Sequence, residues 1–201
     1  MPPRDEERRT HILDAAQHVF ATKGFRGASV KELAQAAGVS PGLLYWYFRD
    51  KVDLFTSLLA ERINTGFGEL TGQVSFDLPP EQFLPQFGRS YVELLNRPAN
   101  AALFKMLISN AATMPDVIRQ VESGMIERVL GTVQGYLGRQ IELGRIRHCD
   151  TEMAVRTFMG GLIGYLLLSN ILQDERARAL PAERLVDGVA DVVLHGILPG
   201  A

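Results

Sequence analysis

Residues 27–51 read GASVKELAQAAGVSPGLLYWYFRDK, and the start and stop signals inside that stretch decide the fold. Ser29 stands three places before Glu32, the spacing of a capping box, in which the hydroxyl accepts from an early amide while the carboxylate reaches back. Val30, Leu33, Ala34 and Ala37 form a short apolar stripe that Gly38 stops. Ser40-Pro41 reopens a helix, with proline at a first-turn position where its missing N–H costs nothing. Two helices of roughly eight residues joined by Gly38-Val39-Ser40 predict a helix-turn-helix. Glycine in that turn suits a positive φ, and Ala34 is small where the helices must approach. Leu44 and Phe48, at i and i+4, predict an inner face packed on Leu33 and Val39.

The outer face of the third helix is then Gly42, Tyr45, Trp46 and Arg49. Two large aromatics on a solvent-facing stripe are poorly explained by packing. They make sense if the face enters a major groove, where apolar atoms meet thymine methyl groups. Lys51, beside Asp50 at the start of the fourth helix, could act on a phosphate together with the free amides and the helix dipole. Ser29 and Ser40, at helix starts, could hold the backbone similarly. Spacing alone leaves open an ordinary helical hairpin whose aromatics pack beneath another part of the chain.

Upstream, Ile12, Ala16, Val19 and Phe20 make the stripe of an amphipathic helix ending near Lys23-Gly24. Downstream, Asp50 caps a helix carrying Leu54, Leu58 and Leu59, with Asp53 at the box position. A breaker zone runs from Gly72 to Pro79-Pro80, and helical stretches follow at about 81–96, 99–113, 116–145, 151–173 and 181–198. Strand alternation and solenoid repeats are absent. Eight or nine helices predict an all-α protein: a three-helix helix-turn-helix domain at 1–51, linked through a helix at about 51–70 to a helical body at 52–201.

The 201 residues, 46% of them hydrophobic, supply a real core. The formal charge of −2 excludes a polybasic coat, but residues 1–51 hold eight basic and six acidic side chains, a weak pointer to a polyanion at that end. Cys149, the sole cysteine, excludes an internal disulfide and a cysteine-based zinc site. The charged start, MPPRDEERRTH, lacks the apolar core of a signal peptide. The longest apolar run, 158–168, falls short of the ~20 residues a bilayer demands. A cytoplasmic protein with no membrane contact is expected. His148, Cys149 and Asp150 are consecutive, so they cannot aim at one another as a catalytic set, and His11, His18 and His195 are lone. No enzyme, metal or cofactor is expected.

Residues 27–51, with the preceding helix from Ile12 to Gly24-Phe25, resemble the DNA-binding domain of the TetR (tetracycline-repressor-type) family, without a gap over about residues 8–58. The Gly-Val-Ser…Leu-Tyr-x-Tyr-Phe…Lys core carries the likeness. Trp46 stands where the family often has His, Asn or Arg, Leu43 where Thr or Ala is common, and Val52 where Glu is usual. The resemblance implies phosphate contacts by Ser29, Tyr47 and Lys51, with Arg8 and Arg26 adding to them. It places Ser40, Pro41, Gly42, Leu43, Tyr45 and Trp46 in or at the rim of the major groove. It further implies a dimeric repressor on a near-palindromic double-stranded operator, released by a small-molecule effector. A DNA-binding dimer without such a switch, architectural or controlled by a protein partner, is the alternative.

In the body the resemblance narrows to architecture and a signature over 144–162. It implies that the last two helices pair with those of a second copy. Gly160 and Gly164 form a small-xxx-small pair, and Leu185, Val189, Val193 and Ile197 a stripe on the last helix; an intramolecular core is the other reading of both. Family members commonly enclose an effector cavity among the middle helices. Candidates here are Phe67, Phe87, Tyr91, Phe104, Met106, Leu107, Met125 and Phe158, with Asn110, Gln134 or Arg119 as polar anchors, which points to a hydrophobic effector. Finally, Gly124, Gly131, Gly135 and Gly138 share one narrow helix face, although glycine costs roughly 1 kcal/mol relative to alanine inside a helix. A neighbouring helix lying against them, or a cavity wall, is expected.

Overall fold

The first helix, α1 (Pro3–Gly27), is broken where its apolar stripe runs out: Gly24 takes φ 70°, and Phe25 turns in beside Phe20 and Phe55. α2 (Val30–Ala36) and α3 (Pro41–Tyr47) follow, then α4 (Lys51–Gln73). The computed structural model describes residues 3–121 and 126–197, and these hold eleven α-helices with no strand among the described residues.

The chain forms two compact units that do not follow a single cut in the sequence. The first comprises residues 1–64 with 98–124: α1 to α3, the start of α4, α6 (Pro98–Asn110), a 3-10 turn at Ala111–Thr113, and α7 (Pro115–Val121). Its core is Ile12, Leu13, Ala16, Phe20, Leu33, Leu44, Phe48, Leu54, Phe55 and Leu58, with α1 packed on α2 and α6. Gly38 takes φ 62° in the turn, where Val39 N donates to Ala34 O at 3.0 Å and closes α2.

The second unit comprises residues 65–97 with 125–201: the end of α4, α5 (Pro80–Asn96), α8 (Glu127–Glu142), α9 (Thr151–Leu166), α10 (Glu175–Ala179) and α11 (Ala182–Ile197). α10 is unforeseen because five residues carry no stripe. Its only signal is Asp174, whose carboxylate accepts from Ala177 N at 2.8 Å. The stretch expected at 151–173 is helical to Leu166 and then widens into a π-helical turn, Leu167–Ile171. Thr151–Ile171 is, by length and composition, able to cross a membrane. Here Phe158 and Leu162 are buried, packed within 3.2 and 3.5 Å of the place a Cβ on Gly88 of α5 would take.

The helical glycines differ in what stands opposite them. Within the chain the close helix approach falls on Gly161, where a Cβ would lie 2.9 Å from both methyl groups of Val189; one at 160 or 164 would meet nothing within 4 Å, so an intramolecular core does not account for that pair. A Cβ at Gly131, Gly135 or Gly138 would likewise meet nothing within 4 Å, so no neighbouring helix among the described residues lies against them. Gly124 lies outside the described residues. The sequence could place these glycines on one face but not say whether anything stood opposite.

Candidate nucleic-acid interface

Short helices are marginal alone and depend on their caps and packing. α2 has the reciprocal box: Ser29 Oγ accepts from Glu32 N at 3.2 Å and donates to Glu32 Oε2 at 2.7 Å, and Ser29 N donates to the same oxygen at 2.9 Å. Lys23 pairs with Glu32, and this contact, followed by the Ser29 amide and hydroxyl, lowers the carboxyl to about 2. α3 has Ser40 as its cap, accepting from Leu43 N at 3.2 Å, and Pro41 at its first position. Buried Leu44 and Phe48 then fix which side faces outward.

What faces outward is apolar. Tyr45 is 52% and Trp46 65% exposed, and Pro41 and Gly42 are exposed beside them, with Leu43 half-buried. The two rings are not tucked beneath neighbours. Trp46 meets Tyr47 edge-on, with centroids 4.7 Å apart at 87°. Arg8 and Arg26 are exposed.

Two expected phosphate contacts are already engaged within the chain. Lys51 Nζ donates to Phe25 O at 2.9 Å and Ala28 O at 3.0 Å and lies 4.6 Å from the Phe25 ring centroid. The lysine thus clamps the start of α4 to the α1–α2 turn. Two of its three protons are used there, which leaves one for another acceptor. Tyr47 Oη donates to Asp5 Oδ1 at 3.4 Å. Burial, with the Asp5 charge added to it, raises the phenol above its ordinary value, while Arg8 opposes the shift. Asp50 caps α4 as expected, accepting from Asp53 N at 2.8 Å, but the Asp53 carboxylate returns to Arg49 N at 2.9 Å rather than to the cap itself.

Sequence reasoning missed Asp5 and Arg9. Arg9 lies 5.4 Å over the Phe48 ring and 3.5 Å from Glu61 of α4. No local signal exposes such contacts, since the partners stand 42 and 52 positions apart.

Residues 12–58 match the family described as bacterial regulatory proteins, tetR family, and residues 82–195 the AefR-like transcriptional repressor, C-terminal domain. The chain belongs to the TetR family. It is similar to the HTH-type transcriptional regulator AcrR of Shigella flexneri, 44% identical over 77 residues, a match covering 37% of this chain and about a third (35%) of AcrR's length. It is similar throughout to the Fatty acid metabolism regulator protein of Bacillus subtilis, 23% identical over 186 residues, 92% of this chain and 93% of that one. The solved transcriptional regulator FadR from Bacillus subtilis, in complex with stearoyl-CoA, shares the fold: TM-score 0.77, 20% identity, covering 93% of this chain and 98% of that one. The TetR family is one of DNA-binding transcriptional regulators, not enzymes.

The effector candidates divide between the units. Phe87, Tyr91 and Phe158 are buried and Phe67 half-buried in the second, where Arg128 lies 5.4 Å over the Phe67 ring and burial raises the Tyr91 phenol to about 12. Met106 is buried and Phe104 and Leu107 half-buried in the first, where Asn110 donates to Met106 O at 2.8 Å. Gln134 donates to Thr151 Oγ1 at 3.4 Å, and Arg119 is exposed and partnered. Met125 lies outside the described residues, as does the side chain of Ile197. Of the last-helix stripe, Leu185 is half-buried, Val193 is buried and Val189 is packed on Gly161. Exposed on α9 are Met153, Thr157, Gly160 and Gly164 beside the charged Glu152 and Arg156, and on α11 Gly188 and Val192 beside Asp187 and Asp191, with Val192 70% exposed.

Proposed function

We propose that the chain is a cytoplasmic repressor that binds a near-palindromic operator as a homodimer and is released by a small hydrophobic effector. The observation that carries this is the exposed Tyr45–Trp46 pair on a serine-capped helix whose opposite side is buried. Exposed rings without a partner are an aggregation liability, whereas rings on the floor of a major groove meet thymine methyl groups and read sequence. The edge-on contact with Tyr47 supports this reading, because it orders an indole that no core holds.

A second copy suits the bare face of α9 and α11. Gly160, Gly164 and Gly188 permit close backbone approach, and Met153 and Val192 supply apolar contact. Twofold pairing sets two readers one helical turn apart on DNA, about 34 Å. An apolar effector is supported by the buried aromatics Phe87, Tyr91 and Phe158, and by stearoyl-CoA on a protein of the same fold. α4, continuous from the Lys51 clamp to Gln73, would carry the response to the reader. A coupling of about 1–3 kcal/mol is enough to switch occupancy.

The test selects bound duplexes from random DNA. Wild type enriches one twofold motif, and Tyr45→Ala with Trp46→Ala loses about 1–3 kcal/mol of preference with an unchanged Tm. Stearoyl-CoA is then titrated against the complex, and Val192→Asp is examined by sedimentation for a monomer. A wild type that prefers no duplex over another overturns the reading.

A further inference from the structure

The first turns of α1 bear on the C-terminal end of α3 in a way that the proposed contacts with DNA do not require. Tyr47 has one phenolic proton, and it is directed to Asp5 Oδ1. A carboxylate at that point repels phosphate, so the contact works against overall affinity. What it supplies is position. Trp46 is 65% exposed, and its ring contact is the edge of Tyr47. Tyr47 also meets Phe48, the rings tilted at 40° with centroids 6.3 Å apart. One α1 turn beyond Asp5, Arg9 lies over Phe48 and pairs with Glu61. The same α1 face therefore braces Tyr47 and Phe48 together.

We propose that Asp5 is a positioning residue for operator discrimination: by holding the Tyr47 hydroxyl it fixes the ring against which Trp46 leans, and so sets the orientation in which the indole meets base edges. The proposal rests on the reading that α3 enters DNA. It differs from a phosphate-contact role for Tyr47, which predicts an effect on all sequences alike. Ordering a groove-facing ring before contact removes the entropic penalty of ordering it during contact.

The chain has a single tryptophan, so its fluorescence reports Trp46 alone. Time-resolved anisotropy of the free protein is measured for wild type, Asp5→Asn, Asp5→Ala and Tyr47→Phe. Asn retains an acceptor and removes the charge; Ala removes both. Fast local rotation of the indole is expected to grow in Asp5→Ala and Tyr47→Phe and to stay at the wild-type level in Asp5→Asn, all at wild-type Tm. On the selected operator, Asp5→Asn binds more tightly at low salt with unchanged preference. Asp5→Ala loses about tenfold in preference over a single-mismatch duplex, and adds nothing in a Tyr47→Phe background. Identical indole rotation in all four proteins overturns the proposal, as does a uniform loss of affinity in Tyr47→Phe with a shallower salt slope. A wild type without duplex preference overturns the functional reading instead, whatever the anisotropy shows.

Discussion

The two units expose apolar surface by different means. In the first, large rings stand out from a seven-residue helix, held there by the Ser40 cap, a buried Leu44–Phe48 face and the Asp5–Tyr47–Trp46 contacts. In the second, α8, α9 and α11 each expose glycines among charged side chains, and the large apolar residues exposed on α9 and α11 are Met153 and Val192. A braced ring presents a fixed shape and suits a rigid, patterned partner. A glycine face presents backbone and suits a helix of equal straightness. The same contrast applies within the second unit, where one glycine admits a neighbour and the next, one position along, faces nothing.

The sharpest way to break that contrast is to fill the glycines. Gly88→Ala is expected to destabilise the protein by about 1–3 kcal/mol, read as a fall in Tm, because its Cβ would meet Val186 at 2.7 Å and Phe158 at 3.2 Å. Gly161→Ala is expected to act in the same direction through Val189. A Tm unchanged by both substitutions would show that α5, α9 and α11 are not closely packed at these glycines.

Next in size is Lys51→Met. Losing two charge-assisted hydrogen bonds to Phe25 O and Ala28 O is expected to lower stability by about 1–3 kcal/mol. If the clamp is the whole role, the salt slope of DNA binding stays as in wild type. A slope shallower by about one shows that the remaining proton reaches a phosphate.

Gly131→Ala and Gly135→Ala are expected to move stability the other way, raising it by about 0.5–1 kcal/mol each, since the new methyl groups meet nothing. A loss of stability from either would reveal a close partner of α8.

The smallest expected effect is in acid. Glu32 ionises at about 2 in the fold, below its ordinary 4.5, first through Lys23 and then through Ser29. A carboxyl lowered on folding stabilises the native state above its unfolded value and loses that contribution as pH falls through the folded one. The α2 cap therefore weakens between about pH 4.5 and 2, and Glu32→Gln removes that part of the acid dependence. A Glu32 carboxyl titrating near 4.5 by NMR contradicts this.

Much of the reader was legible in residues 27–51 because its signals are local. Caps act within three positions, a turn glycine within one, and an i, i+4 pair fixes the inner face; burial of Leu44 and Phe48 and the positive φ of Gly38 follow from them. The engaged hydroxyl of Tyr47 and ammonium of Lys51 were not legible. Each is satisfied by an atom more than twenty positions away, and a side chain's type states what it can bind, not whether that capacity is already used.

The body shows the same boundary. Periodicity alone established that the chain is helical, where the long stripes run, and that Gly131, Gly135 and Gly138 share one face of a helix. Only tertiary packing decided that within the chain Gly161 rather than Gly160 admits a neighbour, that α6 and α7 join the N-terminal unit, and that no described atom would lie within 4 Å of a Cβ on Gly131. The reason is geometric. A helix face repeats every 3.6 residues, so sequence resolves which side a residue takes, but adjacent positions differ by only about 100°. Which of them meets a partner depends on the angle and register at which helices distant in sequence come to rest.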